Sequence, residues 1–476
     1  MKKTAVLIVL LICFFSKAQP PAKFYTKFGG SGIDIGYSGL ETFNRQYAIV
    51  GSTTSFGDGS TNVYLLLVDS MGQPLWEKTF GGAMADVGKS IILNPTDSGF
   101  VIAGFTSSYG NGGYDLYVIR TDKNGNLKWQ SSFGGMDWDF GNDLTLGSDG
   151  NVIVCGTTHS YGYGKTDGYI MKVNITNGTQ VWVKYYGGIE DDDFRSVKLT
   201  SDGYYTIAGN TQSYGDINND FWFFKINNSG DSITSKNFGN PNKKEMCYDF
   251  MEDNFNNLVF CGSYDTSFYN TGKNEGYLIK TNLNGAFLNQ IRYAGAGSND
   301  RFLSVTRERN GNNYFFSRSV NKPSFEMEAQ PFHTDFNLNH IFSTTYVGNK
   351  DEEAYKVFNT KDNGFVMVGY TKSFNLVSED VFFVKVDSTL LNSVNIVGLK
   401  ELKQNKSPEK IYYFDNKLYF DNSYSKLLTY SIMNSQGKVL IESRTNGNVI
   451  QLNPDMATGV YVARIGDKPP IKFIKN

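Results

Sequence analysis

The sequence has little cysteine, proline or histidine, with 4, 11 and 3 residues of these types among 476. Apart from Cys13 in an N-terminal apolar segment, the cysteines are Cys155, Cys247 and Cys261. This odd number argues against a disulfide framework. Cys155 and Cys261 hold the same position in their units, so we expect these two to pack as small apolar residues; a Cys247–Cys261 bond is the alternative. Lysine and arginine number 45 against 47 acidic residues, so there is no basic excess for phosphates and nucleic acid is not an expected partner.

Long apolar runs are also scarce, and the only candidate membrane segment lies at the N-terminus. Residues Ala5–Phe15 form an apolar run behind two lysines, and small residues stand at Ser16 and Ala18. This pattern is typical of a secretory signal peptide, and the run is short for a transmembrane helix. We therefore expect residues 1–18 to be cleaved after Ala18, which leaves a mature chain without a membrane-spanning segment.

Aromatic residues and glycine are abundant instead, at 15% Phe, Trp and Tyr and 50 Gly. Aromatic and β-branched side chains suit a pleated, half-buried surface, while Gly, Asn and Asp favour turns. The sequence shows no long apolar stripe with helical period. The composition therefore predicts an all-β protein.

A sequence motif of the type LWEKTFGG recurs through most of the chain. Two recurring residues, which we call anchors, mark the repeat at intervals of 52 to 55 residues. The first anchor is the aromatic residue before the glycine corner, at Phe28, Phe80, Phe133, Tyr186, Phe238, Tyr293 and Tyr346. The second is the glycine that ends an apolar strand, at Gly51, Gly104, Gly156, Gly209, Gly262 and Gly369. The sixth unit lacks this glycine and reads FFSRSV.

Each unit contains four strand-like runs, such as DVGKSIIL, GFVIAGFT, DLYVIRTD and NLKWQSSF. A repeat of about 40–50 residues with four strands is typical of a propeller blade. Blades must stack because a single four-stranded sheet cannot bury both of its faces. The seven anchors predict a seven-bladed β-propeller of four-stranded blades over residues 19–398, followed by a small β-sandwich domain, and we expect a monomer.

The first strand of the mature chain predicts how the propeller closes. The stretch KFYTKFGG matches LWEKTFGG, with Phe24 at the position of Trp76. A strand at residues 23–28 belongs to no complete unit. We expect it to complete the last blade beside Asp380–Asp387, which would remove two sheet edges. The alternative occupant of that position is Asn392–Gly398.

Three further residue types recur with the repeat. Large rings in the last strand of a unit can fill the gap between blades, and these are Trp76, Trp129 and Trp182. One acidic series follows the aromatic anchor by six residues: Asp34, Asp86, Asp139 and Asp192. Another precedes the third strand: Asp115, Asp167, Asp220 and Asp380. We interpret both series as structural loop acids that accept backbone N–H bonds; the alternative is a ring of metal or ligand sites.

The order of the strands places the loops between units, and those between second and third strands, on one face. These loops are rich in Ser, Thr, Tyr, Gly and Asp, and binding residues commonly lie on such loops. We predict that Tyr109, Tyr161 and Tyr214 are ligand-binding candidates on this face. The alternative is that each tyrosine ring packs against the base of its own loop. The irregular sixth unit adds Arg307, Arg318 and His333. No catalytic, metal-binding or phosphate-binding motif is evident, so we predict no catalytic residue, metal or cofactor.

The repeat stops after about Gly398, and the polar, lysine-rich segment 399–409 has the composition of a linker. Residues 410–476 then predict a small β domain. Their pattern NSQGKVL … NVIQLNPDMATGVYVARI … IKFIK, with a turn at Gly437 and a strand starting at Gly459, resembles the C-terminal sorting domain of type IX secretion in Bacteroidota. The repeats at 23–398 are similar to bacterial β-propeller repeat proteins of this secretion class.

The resemblance implies export through the type IX secretion machinery, with the protein either released or attached at the outer-membrane surface. We expect a secreted or surface-attached binding or adhesion module whose ligand is a glycan or a protein. The alternatives are an extracellular enzyme acting on polysaccharide or glycoconjugate, and a structural surface protein without a small-molecule ligand.

Overall fold

The computed structural model divides into two compact units, Met1–Leu399 and Lys400–Asn476. In the first unit it describes residues 24–215, 218–265, 273–294, 299–321, 326–344, 350–373 and 378–386. In the second it describes residues 412–414, 417–419, 428–434, 438–445, 449–453, 456–457, 459–465 and 471–475. The predicted signal peptide, the linker and the alternative closing strand at 392–398 lie outside the described residues.

The described part of the first unit forms seven antiparallel sheets of four strands each. The first strands are β2 (Asp34–Glu41), β6 (Asp86–Leu93), β10 (Asp139–Leu146), β14 (Asp192–Leu199), β18 (Glu245–Glu252), β22 (Arg301–Arg307) and β26 (Glu352–Asn359). The second strands are β3 (Tyr47–Thr53), β7 (Phe100–Thr106), β11 (Val152–Thr158), β15 (Tyr205–Thr211), β19 (Asn257–Asp265), β23 (Tyr314–Asn321) and β27 (Phe365–Thr371).

The third strands are β4 (Asn62–Val68), β8 (Asp115–Thr121), β12 (Asp167–Val173), β16 (Asp220–Ile226), β20 (Asn274–Asn282), β24 (Met327–Thr334) and β28 (Asp380–Val386). The fourth strands are β5 (Pro74–Phe80), β9 (Leu127–Phe133), β13 (Gln180–Tyr186), β17 (Ser232–Phe238), β21 (Phe287–Tyr293), β25 (His340–Ser343) and, in the seventh sheet, β1 (Phe24–Phe28).

Burial differs between the strands of a sheet in a way that the sequence reflects. In the first sheet, β3 and β4 are buried along their whole length, whereas β5 is mostly exposed. Strands covered on both faces carry continuous apolar runs, as in NVYLLLV of β4. In the first sheet the fourth strand is therefore the exposed edge strand.

Neighbouring sheets pack through apolar layers. Val50 of the first sheet, for example, packs with Ile102 of the second. The last sheet also packs on the first, because Tyr47 of β3 lies in one apolar cluster with Val368 of β27 and Phe383 of β28. Sheets at opposite ends of the repeat are thus neighbours.

The N-terminal strand β1 pairs antiparallel with β28, the neighbour expected for it from the sequence, with Phe28 opposite Val381. The ring centroid of Phe24 lies 5.5 Å from that of Phe383 in β28 and 6.3 Å from that of Tyr47 in β3. The first strand in the chain therefore extends the last sheet and also contacts the first.

Each first strand has a bulge at an equivalent place, where its register with the second strand shifts. In six sheets the glycine of the second anchor lies opposite this bulge. A Cβ on Gly104 would come within 1.9 Å of the carbonyl oxygen of Val87. The close approach of two backbones explains why the repeat uses glycine here.

Replacing Gly104 with alanine is expected to lower the free energy of unfolding by about 1–3 kcal/mol, because the new methyl group must displace the Val87 carbonyl. Urea unfolding followed by circular dichroism measures the change. Lys123→Ala in an exposed turn is the control, with an expected effect within about 0.5 kcal/mol. Equal stability of the two variants would contradict the steric explanation.

The sixth sheet has Arg318 where the other sheets have this glycine, and Arg318 lies opposite Phe302. The arginine side chain is 7% exposed, and its Nη2 lies 3.1 Å from Oδ2 of Asp300. At this position the sixth unit thus replaces the recurring glycine with an arginine that forms an internal ion pair.

Two further sequence predictions concern cysteines and membrane segments. Cys155, Cys247 and Cys261 are buried free thiols, and burial raises the pKa of each. Cys155 and Cys261 are buried as predicted, Cys247 is buried as well, and the alternative Cys247–Cys261 bond is not formed. Among the residues that the structure describes, no helix has the length and hydropathy needed to cross a bilayer.

The described part of the second unit contains two small antiparallel sheets. One has the order β29 (Tyr412–Phe414), β30 (Lys417–Tyr419) and β33 (Val449–Gln451). The other has the order β32 (Val439–Thr445), β31 (Leu428–Asn434), β34 (Gly459–Ile465) and β35 (Ile471–Lys475). Ile432, Ala463 and Ile465 are buried in its core. Both units are therefore all-β.

Candidate functional site

The strands of the first unit end on two different faces. One face carries the starts of the first strands, such as Asp86, and the loops between second and third strands, such as 107–114; we call it the long-loop face. The opposite face carries short turns, such as 94–99 and 122–126; we call it the tight-turn face.

The first acidic series is buried in the corners between sheets on the long-loop face. Asp86 is 0% exposed and accepts hydrogen bonds from the N–H of Gly82 at 2.8 Å, the hydroxyl of Ser108 at 2.7 Å and the hydroxyl of Thr106. The corresponding glycine N–H bonds are 2.7, 2.8 and 2.8 Å long at Asp34, Asp139 and Asp192. Each carboxylate stabilises its own corner by accepting local hydrogen bonds.

The second acidic series begins the third strands and is also buried. Asp115 accepts the N–H of Asn111 at 2.8 Å. Equivalent starts of third strands are occupied by Asp167 and Asp220. Burial raises the pKa of Asp115 and Asp167. Asp380 instead forms an ion pair with Lys27 of β1, so this position also fastens the N-terminal strand to the last sheet.

The three candidate tyrosines lie on the long-loop face with one edge exposed. The exposed fractions of Tyr109, Tyr161 and Tyr214 are 38%, 46% and 46%. Their hydroxyls donate to carbonyl oxygens of corner glycines at 2.6, 3.2 and 2.7 Å. Each tyrosine ring therefore packs against the base of its own loop, which is the alternative to ligand binding that the sequence left open.

The sixth-unit candidates lie apart from these tyrosines. Arg307 is the last residue of β22, and His333 is near the end of β24, so both are at the tight-turn face because the two strands run towards it. Nε2 of His333 is 2.9 Å from Oε1 of Glu308, and Arg307 contacts the side chain of Asn254. Arg318 is buried in its ion pair. The structure does not bring these three together with the candidate tyrosines.

The tryptophans of the fourth strands pack against a turn of the following sheet. The ring of Trp76 lies over Gly125, where an added Cβ would come within 2.7 Å of it. Gly125 has a φ of +77°, so both the left-handed backbone and the ring contact require glycine. The same contact joins Trp129 to Gly178, Trp182 to Gly230 and Phe24 to Gly72. These aromatic residues lie between neighbouring sheets.

A group that the sequence analysis did not identify lies between the second and third sheets on the long-loop face. Phe105, Tyr114, Trp138, Phe140 and His159 form a connected set of rings, which we call the aromatic cluster. Ring centroids are 5.1 Å apart for Phe105 and Phe140, 6.1 Å for Tyr114 and Trp138, and 5.9 Å for Trp138 and His159. Trp138 is 52% exposed, so the cluster presents a ring surface to solvent.

The aromatic cluster depends on residues that do not recur. Trp138 directly precedes Asp139 at the start of β10, and Phe140 is the second residue of that strand. The residues at the position of Trp138 in the other units are Ile33, Ala85, Asp191, Lys244, Asn299 and Asp351. A search for departures from the repeat next to the corner acids would have found Trp138, whereas attention to recurring residues passes over it.

A second asymmetric group lies on the first strands, directly after the bulge. It consists of Ser90, Asp143, Ser196, Asp249 and Ser304, which we call the inner belt. The hydroxyl of Ser90 donates to Oδ1 of Asp143 at 2.6 Å, and that of Ser304 donates to Oδ2 of Asp249 at 2.7 Å. The hydroxyl of Ser196 lies between the two carboxylates, at 2.8 and 2.9 Å. The belt therefore links five consecutive sheets.

Asp249 is the carboxylate of the inner belt that has the closest cationic partners. It is 3% exposed, and its oxygens lie 2.8 Å from Nζ of Lys356 and 3.3 Å from Nζ of Lys198. Burial by itself would raise the pKa of Asp249, but the two ammonium groups outweigh it and hold the pKa well below its usual range. Asp249 is therefore an ionised, fully paired carboxylate.

Lys89 occupies the bulge of β6, one residue before the belt. Its Nζ lies 3.7 Å from the centroid of the Tyr37 ring, a cation–π distance. Burial lowers the pKa of Lys89 to about 8, and the positive charge of Arg195 acts in the same direction. The side chain is partly exposed. Within the described part of the chain, no carboxylate forms an ion pair with it.

No family model matches the chain. Among curated proteins, the regulatory protein FlaEY of Caulobacter vibrioides is 23% identical over 196 residues. The alignment covers 37% of this chain and 19% of FlaEY, so the chain spans about a fifth of the length of that relative.

Among solved structures, the chain is similar to the ulvan lyase of polysaccharide lyase family PL25, with a TM-score of 0.51 and 11% identity over 78% of this chain and 96% of that one. PorZ, a bacterial surface component of the type IX secretion system of Porphyromonas gingivalis, aligns with a TM-score of 0.43 and 10% identity over 94% of this chain and 60% of PorZ. At such identities the similarity to the lyase concerns the fold alone. The chain is an all-β protein whose four-stranded antiparallel sheets are propeller-like.

Proposed function

We propose that this chain is a secreted or cell-surface binding module that recognises a glycan. The aromatic cluster carries the proposal, because Trp138 is 52% exposed and adjoins Tyr114 and His159. Such rings combine flat apolar surface with polar edges, and ligand sites commonly pair an apolar surface with a few polar groups. A sugar ring has matching features, since it presents an apolar face bordered by hydroxyl groups.

The proposal includes the finer architecture, in which the seven sheets are blades of a closed seven-bladed β-propeller. The pairing of β1 with β28 and the contact of Phe24 with Gly72 in the first sheet support closure. In a closed ring the first strands line a central channel. The aromatic cluster then lies at the long-loop end of this channel, and Lys89 and the inner belt lie inside it.

Export is proposed from the sequence. In this scheme residues 1–18 are a signal peptide, 19–398 the propeller, 399–409 a linker and 410–476 a sorting domain that the type IX secretion machinery recognises. The division into two units at Leu399 and Lys400 supports the boundary. The exported protein would be a monomer, either released or attached to the outer-membrane surface.

Replacing Trp138 with alanine is expected to weaken glycan binding about 30-fold, which corresponds to the roughly 2 kcal/mol of a central aromatic contact. A glycan array selects the ligand, and isothermal titration calorimetry measures its dissociation constant. Met136→Ala is the matched control, because Met136 is 81% exposed on the same loop and lies outside the aromatic cluster.

Two results would argue against this function. If the array shows no bound glycan, or if Trp138→Ala binds as tightly as the unchanged protein, the aromatic cluster is not a glycan site. Release of reducing ends from a bound polysaccharide would instead favour the enzyme alternative.

A further inference from the structure

Lys89 is exceptional among the cations of the proposed channel because it has no anionic partner in the described structure. Arg195, Lys198, Arg301 and Lys356 each lie within 3.3 Å of a carboxylate oxygen. Those four cations therefore serve ion pairs within the protein. Lys89 contacts the face of the Tyr37 ring instead, and its charge is available to a ligand.

We propose that Lys89 binds the carboxylate of an acidic saccharide, a glycan containing uronic acid residues; this inference rests on the proposed glycan-binding function. A ligand carboxylate would supply the counter-ion that Lys89 lacks, and an ion pair with a half-buried ammonium is stronger than one between fully exposed groups. The neighbouring Arg195 adds positive potential, although Asp193 pairs with it at 2.7 Å.

The position of Lys89 relative to the aromatic cluster fits a single ligand. Lys89 is the fourth residue of β6, and Phe140 is the second residue of β10. The two strands are held together by the bond between Ser90 and Asp143. Two residues along a strand correspond to roughly 7 Å, so the backbone of Lys89 lies about one sugar ring farther from the long-loop face than that of Phe140. A saccharide stacked on Trp138 can therefore direct an acidic group towards Lys89.

The proposed site has a definite dependence on pH. The groups that act on Lys89 are the Tyr37 ring on β2 and Arg195 on β14, and Arg195 is itself paired with Asp193. Asp143 on the adjoining β10 is bonded to Ser90, the residue after Lys89, and to Ser196. Because the pKa of Lys89 is about 8, its ammonium form predominates at pH 6.5 and is lost as the pH rises to 9. The uronic acid stays ionised throughout, so its binding should weaken over that interval.

The test compares trigalacturonate with its neutral methyl ester by titration calorimetry on the full mature chain. At pH 6.5 the unchanged protein should bind the acid about tenfold more tightly than the ester, as one charged contact predicts, and this preference should decline at pH 9. Lys89→Met should bind both ligands with the affinity of the ester. Lys89→Arg should keep the preference at pH 9, because an arginine stays charged.

Lys78→Met on the exposed strand β5 is the control and should behave like the unchanged protein. Equal binding of acid and ester would overturn the inference on Lys89 but leave glycan binding intact. Binding of neither would also overturn the inference on Lys89, and the glycan array together with Trp138→Ala would then decide on glycan binding. Preference for triglutamate over trigalacturonate would overturn the assignment to a saccharide. If Lys89→Met does not fold, the pH profiles of the unchanged protein and of Lys89→Arg decide the question.

Discussion

Asp249→Ala is expected to lower the free energy of unfolding by about 1–3 kcal/mol, because it removes a buried carboxylate that pairs with two half-buried ammonium groups. Lys198 and Lys356 both point at this carboxylate, and the hydroxyl of Ser304 loses its acceptor as well. Urea unfolding followed by tryptophan fluorescence measures the change. Asp58→Ala in an exposed loop is the control, with an expected effect within about 0.5 kcal/mol.

The same carboxylate predicts a dependence of stability on acid. Its pKa is lower in the folded protein than in the unfolded chain, so its contribution is complete above the unfolded value of about 3.9 and is lost as the pH falls towards the folded value. The stability difference between the unchanged protein and Asp249→Asn should therefore be constant above about pH 5 and shrink below about pH 4. A difference that does not change with pH would show that Asp249 is not the ionised partner of the lysines.

Removal of β1 is the second change with a large expected effect. A chain that begins at Gly29 loses the packing of Phe24 and Phe28 on Phe383 and of Tyr25 on Phe382. Three aromatic side chains leaving their partly buried positions correspond to roughly 4–8 kcal/mol. The unpaired edge of β28 also becomes available to other molecules. We expect a lower urea midpoint and concentration-dependent oligomers, measured against the chain that begins at Gln19.

A peptide tests whether the loss is due to the missing strand. Synthetic KFYTKF, the sequence of residues 23–28, should bind the shortened protein by adding a strand to the free edge, and it should restore both the midpoint and the monomer. A scrambled peptide of the same composition should do neither. Unchanged stability on truncation, or equal rescue by both peptides, would contradict the role proposed for β1.

Much of the fold could be predicted from the sequence because two sets of recurring residues mark strand positions in the repeat. In six sheets the aromatic anchor is the last residue of the fourth strand, as at Phe80. The glycine of the second anchor marks the place where two backbones meet at a bulge, as at Gly104 and Val87. Even the partner of the first strand could be read from the likeness of Phe24 to Trp76. Local geometry that must be the same in every sheet leaves the same residues in every unit.

The candidate site could not be predicted from recurring residues, because those residues serve the local geometry that all sheets share. Recurring groups such as Asp86 and Tyr109 are occupied in stabilising their own loops. The aromatic cluster and Lys89 arise where a single unit departs from the others, and their significance depends on which strands lie side by side in three dimensions. The sequence did draw attention to departures in the sixth unit, but Arg318 there proved to be half of a buried ion pair.

The pairing of β1 with β28 has a consequence for the order of events in the cell. Lys27 and its partner Asp380 are 353 residues apart, so the strand synthesised first waits for the strand of this unit synthesised last. Contacts between such distant segments form slowly because a long loop must close first. A chain that crosses a membrane from its N-terminus would therefore emerge with its final sheet incomplete. The last step in the folding of this unit would then be the pairing of β1 with β28, which only molecules that already contain Asp380–Val386 can complete.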